Sequence, residues 1–177
     1  YFIKEEKFYQ YAGKKTVEVI DTLSQKYKIE NKEKFAQEIF SIVSEIYSND
    51  LKLVDGAQEY ISKSSRNHFI GSNSNKNRIL DGLKFVGLDR IFLSDQVYSF
   101  DMVKRPKPDP DIYLKVLNDN SLNIGETIII EDSGVGVKAA CTAGVKVFGL
   151  TAGKHWHSNR DKNELFDNGA LNVFSDY

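Results

Sequence analysis

The sequence predicts an α/β fold: a parallel sheet wound with crossover helices, preceded by a smaller all-helical module. Three observations carry this. From residue 56 onward short β-branched or aromatic runs alternate with helical stretches, the pattern of strand–helix–strand units. The densest run, Thr127-Ile128-Ile129-Ile130, ends abruptly on Glu131-Asp132-Ser133, and a run of this kind reads as a strand buried on both faces of a parallel sheet. Before residue 56 the apolar residues recur only at helical spacing.

In order, Val17, Ile20 and Leu23 mark a first helix, and Phe35, Ile39, Phe40, Val43, Ile46 and Tyr47 a second. The lysines of Lys14-Lys15 and of the stretch from Lys26 to Lys34 alternate with acids and apolar residues, as on solvated helix faces. Residues 1–55 are therefore read as a helical module and 56–177 as the sheet-bearing core. Strands are expected at His68 to Gly71, Arg90 to Leu93, Thr127 to Ile130, Val145 to Leu150 and Leu171 to Phe174. Between them lie helices through Ile79, Leu83 and Val86, through Ile112, Leu114, Val116 and Leu117, and from Val137 to Gly144.

The chemistry collects at strand ends, where ligands bind in open α/β sheets. Two adjacent carboxylates, Glu131 and Asp132, close a buried strand and need a counter-charge. A hard cation is the expected ligand. Gly134 and Gly136 let the backbone turn into a helix whose first amides suit an anion. Ser72 ends the His68–Gly71 run, and a strand-end hydroxyl beside free amides suits phosphate oxygens. Lys107, ahead of Pro108-Asp109-Pro110-Asp111, is fixed at a helix entrance, with Asp109 or Asp111 as caps. Cys141 reads as a small core residue. His155 and His157 could suggest a zinc site, but the one other histidine, His68, starts a strand, so a third ligand would have to be a carboxylate, and they read as structural loop residues.

Taken in order, strand-end Ser72, Lys107 before Pro-x-Pro-Asp, and Glu131-Asp132 before Ser-Gly-x-Gly, the chain resembles the haloacid dehalogenase superfamily, in particular its beta-phosphoglucomutase and sugar-phosphate phosphatase branch. Gly149 to Gly153 and Gly169 to Phe174 look like that family's last strands and loops. The resemblance implies a Rossmann-like core with helices on both faces and a helical cap, with Val54-Asp55-Gly56 as the hinge between them. It places the transferring phosphoryl group on Ser72 and Asn73, charge balance on Lys107, Mg2+ on Glu131 and Asp132, and the substrate loop near Lys14 and Lys15.

The family's nucleophile, the first aspartate of an Asp-x-Asp motif after the first core strand, has no counterpart here. Asp109-Pro110-Asp111 follows no apolar strand and belongs to the lysine motif. The chain opens on Tyr1 and its single methionine is Met102, so the expectation is a sequence that begins after that nucleophile and lacks the first core strand. The implied activity is Mg2+-dependent hydrolysis of a small phosphorylated metabolite, such as a sugar phosphate, through an aspartyl-phosphate. Alternatives are a phosphoryl-transfer mutase or a truncated, non-catalytic binding protein. These 177 residues alone are expected to be inactive, and loss of Lys107 in a complete enzyme is expected to cost turnover more than folding.

Composition narrows the partners. Twenty-four basic residues against twenty-five acidic ones give no field that would gather nucleic acid or an anionic membrane. A small-molecule ligand and a monomer are expected. One cysteine excludes an internal disulfide and suits a reducing, cytoplasmic setting. A two-component receiver domain combines similar residues, but with its acidic pair first and its lysine last, the reverse of the order here.

Overall fold

A computed structural model of the chain describes residues 16–49 and 51–177. Lys14 and Lys15 lie outside the described residues. The described helices are α1 (Thr16–Tyr27), α2 (Lys32–Asn49), α3 (Ala57–Lys63), α4 (Lys76–Phe85), α5 (Asp111–Asp119), α6 (Gly134–Thr142) and α7 (Asn163–Asp167), with strands β1 (Ile70–Ser72), β2 (Val97–Ser99), β3 (Ile128–Glu131), β4 (Lys146–Leu150) and β5 (Val173–Phe174). All strand pairings are parallel, as the alternation of elements predicts. None of the described helices is long and apolar enough to cross a membrane.

Helix α1 buries Ile20 and Leu23 and packs on α2, whose first turn is capped by Asn31 Oδ1 accepting from the Lys34 amide at 2.9 Å. Arg78 of α4 reaches back to Thr16, Nη1 donating to Oγ1 at 3.3 Å. The turn Val54-Asp55-Gly56 leads into α3, and Gly56 takes φ 82°, a left-handed conformation that a side chain would strain.

Beyond shifts of one or two residues at the ends of β1, β4 and β5, two strand expectations need correction. Arg90 to Leu93 is a turn rather than a strand: the amides of Ile91 and Phe92 both donate to the Leu88 carbonyl, at 3.0 and 2.9 Å, so neither is available to a ladder. Phe92 instead plugs the cluster of Leu83, Leu88 and Val97. The strand is the next segment, Val97–Ser99, buried throughout and in register with β1 from Ile70↔Val97 to Ser72↔Ser99.

Strand β3 is one residue later than expected, so that Glu131 joins the ladder opposite Gly149. Nor is it buried on both faces, since Ile128 is 52% and Ile130 40% exposed. The cause is topological. The strands form two separate sheets, β1-β2 and β3-β4-β5, and each of β1 and β3 is paired on one side only. A groove of about 800 Å³, lined by Phe69 and Gly71 on one wall and by Ile128, Ile129 and Ile130 on the other, lies where a further strand would join the two sheets.

Helix α5 brackets the halves. Its Ile112 packs with Tyr98 in one cluster, while the adjacent Tyr113 packs with Val137, Val147 and Leu165 in another. Helix α6 is buried through Val137, Ala139 and Ala140. Cys141, expected in the core, is exposed and its Sγ donates to the Gly169 carbonyl at 3.3 Å; the small alanines before it fill the packed face.

Candidate active site

Lys107 lies at the meeting point of the two sheets. The side-chain amide of Asn73 clamps its backbone from both sides, Nδ2 donating to the Lys107 carbonyl and Oδ1 accepting from its amide, each at 3.0 Å. The Lys107-Pro108 peptide is cis. Nζ donates to the Gly71 carbonyl of β1 at 2.8 Å and to Glu131 Oε1 at the end of β3. The expected residues Ser72, Asn73, Lys107, Glu131 and Asp132 are therefore brought to one carboxyl edge, although 59 positions separate Ser72 from Glu131 (131 − 72).

The proline segment works differently from the expected cap. Pro110 stands at the N-cap of α5 without a side-chain bond. Asp109 and Asp111 instead pair with Arg105, at 3.4 and 2.8 Å. Arg105 holds the Asp111 carboxyl below the usual carboxylate range, through its hydrogen bond and its charge.

Glu131 is fully committed within the protein. Oε1 accepts from Lys107 Nζ and from the Tyr113 hydroxyl. Oε2 accepts from the Asp132 amide and from Ser133 Oγ, each at 3.2 Å. Burial pushes the carboxyl up, but the charge of Lys107 and the hydrogen bonds from Lys107, Tyr113 and Ser133 outweigh it and hold Glu131 below its ordinary value. Tyr113, pushed far upward by burial and by the facing Glu131 charge, remains a protonated donor. The Lys107 ammonium also sits 4.8 Å from the Tyr113 ring centre, a cation–π geometry.

A depressed carboxyl stabilises the fold fully above its unfolded value, about 4.3, and loses that contribution as pH falls through its folded value. The urea-midpoint gap between the wild type and Glu131→Gln should accordingly narrow as pH falls from about 5 to 3. A gap that stays constant over this range would contradict the Lys107–Glu131 coupling.

Asp132 has the opposite environment. Its side chain is 56% exposed, and partial burial and the neighbouring Glu131 charge raise its carboxyl above the ordinary value. With both Glu131 oxygens occupied, Asp132 is the more exposed carboxylate of the pair, its Oδ2 facing His155 Nε2 at 3.4 Å. Among the described residues no set of three His, Cys, Asp or Glu side chains is arranged to hold a metal.

Sequence reasoning missed Tyr113, Ser133, His155 and Trp156. A tyrosine on a buried helix face requires a partner for its hydroxyl, and that requirement was the available clue to Tyr113. His155 and Trp156 reach Asp132 by tertiary contact alone: Nε2 of His155 lies 3.4 Å from Asp132 Oδ2, and Trp156 Nε1 donates to the Asp132 carbonyl at 2.9 Å.

Residues 1–150 match the family described as haloacid dehalogenase-like hydrolase. The chain belongs to this family. It is 31% identical over 157 residues to the phosphorylated carbohydrates phosphatase of Thermotoga maritima, covering 86% of this chain and 68% of that protein. To the 6-phosphogluconate phosphatase of Escherichia coli it is 24% identical over 152 residues, covering 85% and 68%. A crystal structure of a haloacid dehalogenase-like protein of unknown function from Agrobacterium tumefaciens superposes with TM-score 0.84 at 26% identity, over 98% of this chain and 79% of that one. The haloacid dehalogenase-like hydrolase thus has a Rossmann-like α/β core of parallel strands.

Proposed function

We propose that this haloacid dehalogenase-like hydrolase cleaves the phosphate monoester of a small phosphorylated carbohydrate in a Mg2+-dependent reaction. The observation that supports this most directly is the Lys107 ammonium, held between the Gly71 carbonyl beside Ser72 and the Glu131 carboxylate beside Asp132. The names of the Thermotoga maritima and Escherichia coli relatives favour the same substrate class.

In this reading Ser72 Oγ and the backbone amide of Asn73 bind equatorial phosphoryl oxygens, and Lys107 neutralises their charge as it builds in the transition state. Asp132 contributes to holding Mg2+, with Glu131 aligning the lysine beside it. The ion, when bound, neutralises phosphoryl charge as a Lewis acid. The nucleophile is an aspartate outside these residues, on a strand that fills the groove between β1 and β3. Its carboxylate oxygen bonds to phosphorus as the P–O bond to the sugar breaks, the sugar oxygen takes a proton, and water then hydrolyses the aspartyl-phosphate. Residues 1–55 serve as the cap that excludes bulk water.

A form carrying an Asp-x-Asp strand should hydrolyse sugar phosphates in Mg2+, lose activity in EDTA and regain it with added Mg2+. The 177 residues alone should release no phosphate. Hydrolysis that survives chelation, or that needs no added aspartate, would overturn the reading.

A further inference from the structure

Lys107 is held at both ends by the segment Gly71-Ser72-Asn73. At its base, the Asn73 side chain donates through Nδ2 to the Lys107 carbonyl and accepts through Oδ1 from the Lys107 amide, each at 3.0 Å. At its tip, Nζ donates to the Gly71 carbonyl at 2.8 Å. Ser72, whose hydroxyl is assigned to the phosphoryl group, lies between the two anchors. A lysine is a point charge on a flexible stem, so the place of its charge depends on what fixes the base of that stem. A carboxamide carries a donor and an acceptor together, and here it satisfies both backbone groups of one residue as a ladder partner would.

The surrounding frame has little slack. A Cβ at Gly71 would come within 3.0 Å of Ile112 Cγ2 and 3.2 Å of Tyr113 Cε1, so β1 lies directly against α5, the helix that follows the lysine loop. The Ser72 hydroxyl accepts from the Ser74 amide at 3.1 Å, which fixes the turn that carries Asn73. The Asn73 side chain ties this turn to the lysine loop.

We propose that Asn73 is a positioning residue: by holding the Lys107 backbone at the turn after β1, its side chain sets where the ammonium stands relative to Ser72, while its backbone amide serves the phosphoryl group. The kinetic consequence rests on the phosphatase reading; the placement of the ammonium does not. The placement is tested on the chain as it stands by NMR of nitrogen-labelled lysine ammonium groups. Buried and hydrogen-bonded, Lys107 should give a slowly exchanging signal that is absent from Lys107→Arg. Asn73→Ala should lose that signal. Asn75→Ala is the control, because Asn75 Oδ1 accepts from the Arg78 amide at 2.9 Å as a local helix cap; it should lower the urea midpoint and keep the signal. In a form carrying the nucleophile, Asn73→Ala should lower kcat by roughly tenfold to a hundredfold, the order expected when a catalytic group is misplaced by about 1 Å. KM should hardly change, since the interaction lost belongs to the transition state, and Asn75→Ala should retain both constants. A wild-type chain without the ammonium signal, an Asn73→Ala chain that keeps it, or its loss from Asn75→Ala as well would overturn the proposal, as would an unchanged kcat in Asn73→Ala. Should Asn73→Ala fail to fold, Asn73→Ser, too short to reach both backbone groups, carries the same comparison. A nucleophile-bearing wild type that hydrolyses no sugar phosphate would count against the phosphatase reading alone, and the ammonium signals would still decide the placement.

Discussion

Lys107→Ala is expected to damage both turnover and stability. In a form that carries the nucleophile, loss of a preorganised charge stabiliser should lower kcat by roughly a hundredfold or more. The sequence alone led to the expectation that folding would suffer less, but the structure changes that balance. Only 7% of the Lys107 side chain and 8% of the Glu131 side chain are exposed. Removing one partner of a buried pair strands the other, at a cost of about 3–5 kcal/mol. The hydroxyls of Tyr113 and Ser133 and the Asp132 amide still donate to Glu131, which places the loss toward the lower end of that range. Urea midpoints and kcat measured together separate the two effects. Normal turnover with collapsed stability would show that the lysine serves only as a counter-ion, and its catalytic assignment would fall.

Gly136→Ala should be comparably severe, although the glycine takes no left-handed conformation. A Cβ at residue 136 would lie 2.1 Å from both Cδ and Oε2 of Glu131. The Gly136 amide itself donates to Ser133 Oγ at 3.2 Å, so the helix start cannot move aside without losing its cap. The carboxylate would have to leave the pocket, taking with it the bonds to Lys107, Tyr113 and Ser133. A loss of about 3–5 kcal/mol, and of phosphatase activity in the nucleophile-bearing form, is the expected result. Gly125→Ala is the control, since its Cβ would meet only Asn123 Oδ1 at 3.4 Å. Equal urea midpoints for the two variants would refute the steric argument.

Gly136 also shows how far the sequence could be read. The Ser-Gly-x-Gly motif was legible, but its second glycine was explained by a sharp turn, whereas the structure makes it space for a side chain five residues earlier. Ser72, Lys107, Glu131 and Asp132 could be found because each ends an apolar run or precedes a helix, local features that need no knowledge of tertiary contacts. The amphipathic helices were visible through their periodicity. Strand β2 was not, because Val97-Tyr98-Ser99 is short and the preceding Arg90 to Leu93 offers a more apolar pattern. Asn73 was read as a phosphate ligand through its position after Ser72. Its side chain is spent on the backbone of Lys107, a contact across 34 residues that no local pattern encodes. The full burial expected of β3 failed for a related reason: its composition suits a central strand, but burial depends on neighbours on both sides, and one side opens on the groove.

Trp156 is the only tryptophan in the chain, and its indole N–H is tied to the carbonyl of Asp132. Excited selectively over the nine tyrosines, the tryptophan emission therefore reports on one place, the loop held against the end of β3. A fluorescence-detected denaturation curve will follow release of the loop from β3, while far-UV circular dichroism follows the helices. The two curves coincide only if the loop and the core melt together, so their divergence would measure how independently this edge of the sheet comes apart.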